Sequence, residues 1–190
     1  MIRFSVFIKL LIVLSLFFTF NAMAYEEPTY SKIYQNKNYE IRKYGERLVI
    51  QVSYNNQNNG FRTLFNYISG SNIDSQKINM TIPLTQSNEN GDQVMQFFLP
   101  SNFTKKNAPA PTNNKVKLVI IKEGYYAVRK YSGRLTDKNF DKNKKKLKEN
   151  LLKDNIEILS SAINAIYNGP FTLPFLRRNE AMFHISWKNK

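Results

Sequence analysis

Between Gly60 and Gly70 the side chains of Phe61, Leu64, Phe65 and Ile68 stand at i, i+3, i+4 and i+7, which puts four apolar groups on one face of a helix. Gly60 opens this expected helix, and Gly70 falls where a left-handed residue ends one. A short polar spacer leads to Ile78-Asn-Met-Thr-Ile-Pro83, the entry to a strand. A helix with one apolar face must bury that face on another element, and the strand-like segments around it make that element a sheet.

The other segments agree. Leu48, Ile50, Val52 and Tyr54 alternate as a half-buried strand does. Val94–Leu99, Val116–Ile121, Tyr125–Tyr131 and Ala181–Trp187 read as further strands. A second helix is expected from about Thr136 to Lys153, with Thr136 or Asp137 as its cap and Phe140, Leu147 and Leu151 on its buried side. Asn55–Asn59 and Ser87–Gly91 read as loops, the second a hairpin end, and Ala108-Pro-Ala-Pro111 forces an extended connection. Tyr39-Glu-Ile-Arg-Lys-Tyr-Gly-Glu-Arg-Leu48 matches Tyr126-Ala-Val-Arg-Lys-Tyr-Ser-Gly-Arg-Leu135, 87 residues on. The economical reading is a duplicated strand-helix-strands unit, with pseudo-repeats at about 30–100 and 115–187. The expected fold is α+β, an antiparallel sheet curled around two helices.

The first 24 residues stand apart. Arg3 and Lys9 flank an apolar stretch from Leu10 to Phe20, and Ala22-Met-Ala24 supplies the small residues a signal peptidase reads. The expectation is a cleaved secretory signal, a mature chain of residues 25–190 forming one domain, and a periplasmic or secreted location. No later segment has the apolar length of a membrane span, so no stable membrane insertion is expected after cleavage. There is no cysteine, hence no disulfide and no thiolate to hold a metal. Without Arg3 and Lys9 the chain carries 26 Lys and Arg against 14 Asp and Glu, a net charge of +12. That charge attracts anionic surfaces non-specifically. Lys138, Lys142, Lys144, Lys145, Lys146 and Lys148 crowd the second helix, read as a solvated face. No aromatic residue sits among them to stack a base, so no specific nucleic-acid partner is expected.

The block Gly60-Phe-x-x-Leu64-x-x-Tyr67-Ile68-x-Gly70-x-Asn72, followed by Met80-Thr81-x-Pro83, resembles the signature of the SOUL/haem-binding protein family. Phe98-Leu-Pro-x-x-Phe103-Thr, Ala108-Pro-x-Pro111 and Pro170-Phe-x-x-Pro174-Phe-x-Arg-Arg-Asn-Glu180 are similar to its later blocks, so the resemblance runs from about Tyr30 to Ile185. It implies a distorted antiparallel β-barrel of two pseudo-symmetric halves with a helix packed on each. It also implies non-covalent binding of haem or a related porphyrin on an apolar surface beside the first helix.

Carried over residue by residue, that surface is Phe61, Leu64, Phe65 and Ile68, with Ile78, Met80 and Ile82 at the strand entry. Phe rings and a polarisable thioether suit a flat macrocycle. Arg62 and Lys77 are the candidates for its propionates. For an axial iron ligand the candidates are His184, the sole histidine, or Met80 or a tyrosine. Some members of the family bind haem through a histidine placed elsewhere, and this chain has none there. Binding with no protein ligand to iron, by recognition of the ring itself, stands beside these candidates.

The expected activity is that of a tetrapyrrole carrier, buffer or scavenger, and not of an enzyme. The chain has no nucleophile elbow, no metal-ligand cluster and no histidine dyad. The alternatives are a binding domain or enzyme for another small apolar ligand, since such a barrel also resembles bacterial multidrug-sensing domains, or a cationic binder of envelope polyanions. An interior glutamate working with tyrosines would favour catalysis, and Glu40 and Glu123 are the first candidates. Arg177-Arg-Asn-Glu180 reads as a salt-bridged structural turn, and Tyr39, Tyr44, Arg42, Tyr126, Tyr131 and Arg129 as symmetry-related framework.

Overall fold

The computed structural model describes residues 25–55, 57–89 and 91–188; the expected signal, residues 1–24, lies outside them. Among the described residues are nine strands: β1 (Tyr30–Gln35), β2 (Glu40–Tyr44), β3 (Arg47–Ser53), β4 (Leu84–Glu89), β5 (Asp92–Phe98), β6 (Lys117–Ile121), β7 (Gly124–Tyr131), β8 (Ile163–Ile166) and β9 (Asn179–Ile185). Two α-helices accompany them, α1 (Gln57–Ile68) and α2 (Asp137–Lys153), with a 3-10 turn at Pro174–Leu176. All neighbouring strands run antiparallel in one sheet, ordered β1-β2-β7-β9-β8-β4-β5-β3-β6. The sheet curls into a half-barrel, as the α+β reading expected, but it does not wrap around the two helices: they lie on its outer face, and Tyr44, Tyr126 and Met182 line its interior.

Strand alternation sorts the side chains into two layers. On the convex face α1 lays Leu64, Tyr67 and Ile68 over Leu48, Ile50 and Val52 of β3 and Met95 and Phe97 of β5. Similarly, α2 lays Leu147 and Leu151 over Ile41, Ala127, Ala181, Phe183 and Ile185. The alternate residues of the same strands, Tyr44, Tyr126, Val128 and Met182, face the concave side and pack with Ala165 and Tyr167.

Outward from the central β4–β8 pair the order reads β5, β3, β6 one way and β9, β7, β2 the other. The halves are thus β2-β3-α1-β4-β5 and β6-β7-α2-β8-β9, and each sends its first strand across to pair in the other half. This corrects the register of the sequence repeat. The two Tyr-x-x-Arg-Lys-Tyr segments lie on β2 and β7, which are paired neighbours with Glu40 opposite Val128. Topology instead makes β2 the counterpart of β6 and β3 the counterpart of β7. The duplication is real, but the matching motif does not mark its equivalent positions.

The helix ends follow from local chemistry. Gly60 does not open α1; it lies in the first turn, where a Cβ would stand 3.0 Å from the Tyr54 ring. At the other end Gly70 adopts φ +113°, its N–H donates to Tyr67 O at 3.2 Å, and the Ser71 N–H donates to Asn66 O at 2.9 Å. These are the two hydrogen bonds of a Schellman cap, and they need a residue without Cβ strain. The α2 helix starts as expected, Thr136 accepting from the Asn139 N–H at 3.3 Å.

Candidate ligand-binding surface

The four apolar residues of the α1 stripe divide between two environments. Leu64 and Ile68 are sealed in the core with Ile78, because β3 and β5 run directly beneath them. These three are a correction to the surface expected from the sequence: no ligand reaches them unless the helix lifts. Phe61 and Phe65, one turn apart, face outward at 39% and 44% exposure. Their rings stack with centroids 5.9 Å apart and planes 12° from parallel, and Phe61 sets its edge against Phe97 at 5.4 Å. Arg62, beside them on the helix, and Lys77, in the following loop, are both exposed. Met80 is half-buried against the α1 core, whereas Ile82 packs with the concave-side cluster, away from that core.

The polar residues of the signature block hold this shelf in place. Asn72 is buried; its side-chain amide donates to Tyr67 O at 3.0 Å and Gln76 O at 2.7 Å, and its oxygen accepts from the Gln76 N–H. The Tyr67 hydroxyl donates to Pro109 O at 2.7 Å, which fastens α1 to the proline-rich connection; burial lifts its pKa to about 12. Thr81 donates to Phe98 O at 2.6 Å. The bonds to Tyr67 O, Pro109 O and Phe98 O satisfy buried carbonyls that would otherwise cost the fold.

Inside the half-barrel lies an ionic network that the sequence does not show. Glu180, wholly buried on β9, accepts two bonds of 2.8 Å from Arg42, one of 2.7 Å from the Tyr167 hydroxyl and one of 3.0 Å from Arg178 Nε. Arg42 also contacts Glu40, which is bridged by Lys130 at 3.3 Å. Burial alone would raise the Glu180 pKa, but Arg42, Arg178 and Tyr167 outweigh it and hold the carboxyl below its usual range. Of the two glutamates proposed for catalysis, Glu40 belongs to this network, but Glu123 is a surface residue near Lys43. The expected Arg–Glu contact forms between Arg178 and Glu180, but Glu180 lies on β9 and not in a turn, and its main partner comes from β2, 138 residues away.

Beside the network is a recess of about 40 Å³, walled by Tyr30, Tyr44, Phe98, Tyr126 and Met182. The Arg47 guanidinium enters it, 4.3 Å from the Tyr44 ring centre and 5.0 Å from that of Tyr126. Its Nε and Nη2 are buried without a hydrogen-bond partner among the described residues. His184 is in the same region, its ring 5.1 Å from Tyr126. Burial and the charge of Arg47 depress its pKa, so the imidazole is neutral near pH 7. His184 therefore stands on β9 among residues of the concave side, and Phe61 and Phe65 stand on α1. A third feature is an open groove of about 610 Å³ between β1 and the end of α2, where the Tyr34 and Trp187 rings lie 5.8 Å apart.

Comparison with solved structures shows the same architecture at low sequence identity. A hydrolase from Listeria innocua superposes with a TM-score of 0.55 at 11% identity, over 81% of this chain and 94% of that one. An uncharacterized conserved protein from Listeria innocua gives 0.59 at 10% identity, over 80% and 94%. The C-terminal domain of EcmrR gives 0.57 at 10% identity, over 81% and 98%. At such identities the likeness shows a shared fold alone. No curated protein matches the sequence. The sequence model described as SOUL heme-binding protein matches residues 25–184, nearly every residue of the folded body, and the chain belongs to that family.

Proposed function

We propose that the protein binds a tetrapyrrole non-covalently on the outer face of α1 and acts as a carrier, buffer or scavenger outside the cytoplasm. The observation that carries this reading is the stacked, exposed Phe61–Phe65 pair, because two parallel rings offer a flat macrocycle an aromatic platform while Phe97 braces them from below. Arg62 and Lys77 supply the cations a propionate needs, and half-buried Met80 adds a polarisable contact. His184 takes no part, so the protein recognises the ring and assigns no residue to the iron. Serine at both Phe61 and Phe65 weakens protoporphyrin binding at least about tenfold, the worth of one fully buried aromatic side chain, and leaves folding intact. Unchanged affinity would move the ligand elsewhere. N-terminal analysis of the exported protein, expected to begin at Tyr25, tests the location.

The same reading is of a binding protein and not an enzyme. Glu180, the carboxylate inside the half-barrel, already accepts from two guanidinium groups and a phenol, which leaves it a poor general base. Arg47 supports a second reading. A desolvated cation with two unmatched N–H groups in an aromatic recess suits a small carboxylate. Space of this size admits roughly three water-sized groups, so a carboxylate head fits and a macrocycle does not. Thermal stabilisation by acetate or benzoate, lost in Arg47→Met, identifies that site.

A further inference from the structure

One segment is built in a way that neither folding nor tetrapyrrole binding explains. After β8 the chain forms a loop, Asn168 to Arg178, whose four large apolar side chains all point to solvent. Phe171 is 98% exposed, Phe175 72%, and Leu173 and Leu176 more than half. Scattered exposed apolar residues are ordinary, but four within six positions are a patch.

The loop is braced in this presentation by its own backbone and by one arginine. Arg177, largely buried, donates from Nε to Thr172 O at 3.0 Å and from Nη2 to Pro170 O at 2.5 Å. Within the loop the Thr172 N–H donates to Gly169 O at 3.2 Å and the Leu176 N–H to Leu173 O at 3.0 Å; from outside, the Gly133 N–H donates to Pro174 O at 2.8 Å. The tip is therefore held open and does not fold back to bury its apolar groups.

Its surroundings are cationic. The bond from Gly133 joins the loop to the segment leading into α2, and Asn139 ties that segment to the helix by donating to Ser132 O and Arg134 O at 3.1 Å each. Arg134 and Leu135 are exposed there, and Lys138 and Lys142 follow one turn apart on α2, both exposed and neither in an ion pair among the described residues. Residues 168–178 and 132–136 contain no acid. Asp137 is the acid beside the tip, Asp141 is taken by Lys144, and Glu27 by Arg178. The basic face of α2, a solvated surface in the sequence reading, thus adjoins an apolar tip.

We propose that this loop is a membrane-docking finger. Phe171, Leu173, Phe175 and Leu176 enter the headgroup–acyl boundary of an anionic bilayer, while Arg134, Lys138 and Lys142 contact the lipid headgroups. The pairing of an apolar face with flanking cations is what an interfacial anchor requires, and a net charge of +12 favours a negative surface over a zwitterionic one. Docking is peripheral, since no helix among the described residues is long and apolar enough to cross a membrane. The proposal is independent of the tetrapyrrole reading, because it uses no residue of the α1 surface.

The test is flotation of the protein with phosphatidylglycerol–phosphatidylcholine vesicles and with pure phosphatidylcholine vesicles. The protein is taken from Tyr25, the unit that contains every described strand, helix and core cluster, so that the apolar segment before it does not itself bind lipid. The expected result is binding to the anionic vesicles, weakened at least about tenfold by Phe171→Ser with Phe175→Ser. Lys138→Glu with Lys142→Glu should weaken it by roughly fivefold per lysine. In Phe171→Trp with Trp187→Phe, emission should shift to the blue on anionic vesicles and be quenched by brominated acyl chains. Absence of vesicle binding overturns the proposal. So does binding indifferent to the two phenylalanines, which is charge attraction alone. A lipid-free sedimentation result in which the serine substitutions abolish a dimer, with vesicle binding unchanged, overturns it in favour of a second copy of the chain.

Discussion

Replacing Glu180 with Gln removes one charge from the middle of the half-barrel while keeping the shape of the side chain. In the parent protein both carboxylate oxygens are used: Arg42 bonds both, Tyr167 donates to one and Arg178 to the other. The amide keeps one acceptor oxygen but turns a donor toward cationic donors. Removing one member of a buried ion pair costs about 3–5 kcal/mol, because the remaining charge is desolvated without its counter-ion. Here Arg42 keeps Glu40 and the Tyr44 hydroxyl, and Arg178 keeps Glu27, which places the cost near the lower end, about 3 kcal/mol. For a domain of this size that lowers the melting temperature by roughly 6–12 °C. Urea unfolding at pH 7, followed by far-ultraviolet circular dichroism, measures the change. Arg42→Met combined with Glu180→Leu should cost less than the sum of the two single substitutions, since it leaves neither charge alone. The sign with pH is fixed. The folded Glu180 pKa is depressed, so its stabilisation is complete above the unfolded carboxylate pKa and is lost as pH falls below it. The gap between parent and Glu180→Gln should therefore narrow below about pH 4. A single-variant cost within about 1 kcal/mol of zero, or strict additivity of the two substitutions, refutes the view that Arg42 and Glu180 stabilise the half-barrel as a coupled pair.

Three further outcomes are expected. Gly70→Ala places a Cβ at φ +113° and should cost roughly 1–2 kcal/mol of stability in urea unfolding, with Gly45→Ala, where a Cβ meets no atom, as the mild control. Thr136→Ala removes the α2 cap; its bond is long at 3.3 Å, so a loss of about 0.5–1 kcal/mol by thermal melting is expected. His184→Ala should leave the Soret position and affinity of bound haemin unchanged, because that ring packs against Tyr126; a shifted Soret band would restore it as a ligand.

What the sequence makes legible is whatever depends on local periodicity. The α1 stripe, the Gly70 cap, the Thr136 cap and the alternation of β3 all follow from spacings within a dozen residues. Two strands, β1 and β8, escape that reading, and a third, β4, begins only at Leu84, beyond the expected entry at Ile78–Pro83, each for a separate reason. On β1 all but Tyr30 are exposed, so it has no apolar alternation. On β4 Thr85 and Gln86 are buried, and Thr85 bonds Gln96, which in turn bonds Gln51, so this strand is polar inside as well as out. β8 is only four residues long. The recurring Tyr-x-x-Arg-Lys-Tyr motif misplaces the repeat because it falls on two adjacent strands whose inward tyrosines, Tyr44 and Tyr126, meet edge to face at 5.5 Å. Helical spacing likewise gives the apolar face of α1 but not its width, and the sheet beneath covers Leu64 and Ile68 while leaving Phe61 and Phe65 outside. The Glu180 network joins β2 to β9 across more than a hundred residues, a distance at which no local pattern speaks.

The central claim is that the α1 surface recognises the porphyrin ring and not its iron. Parallel titrations of haemin and iron-free protoporphyrin into the protein from Tyr25, with Trp187 emission followed for both and the Soret band for haemin, test it most directly. The account predicts saturable binding of both ligands with affinities within about tenfold, equivalent to 1.4 kcal/mol, and a loss for both on Phe61→Ser with Phe65→Ser. Binding of haemin alone, or a loss on replacing Tyr34 and Trp187 with no loss at Phe61 and Phe65, would contradict it.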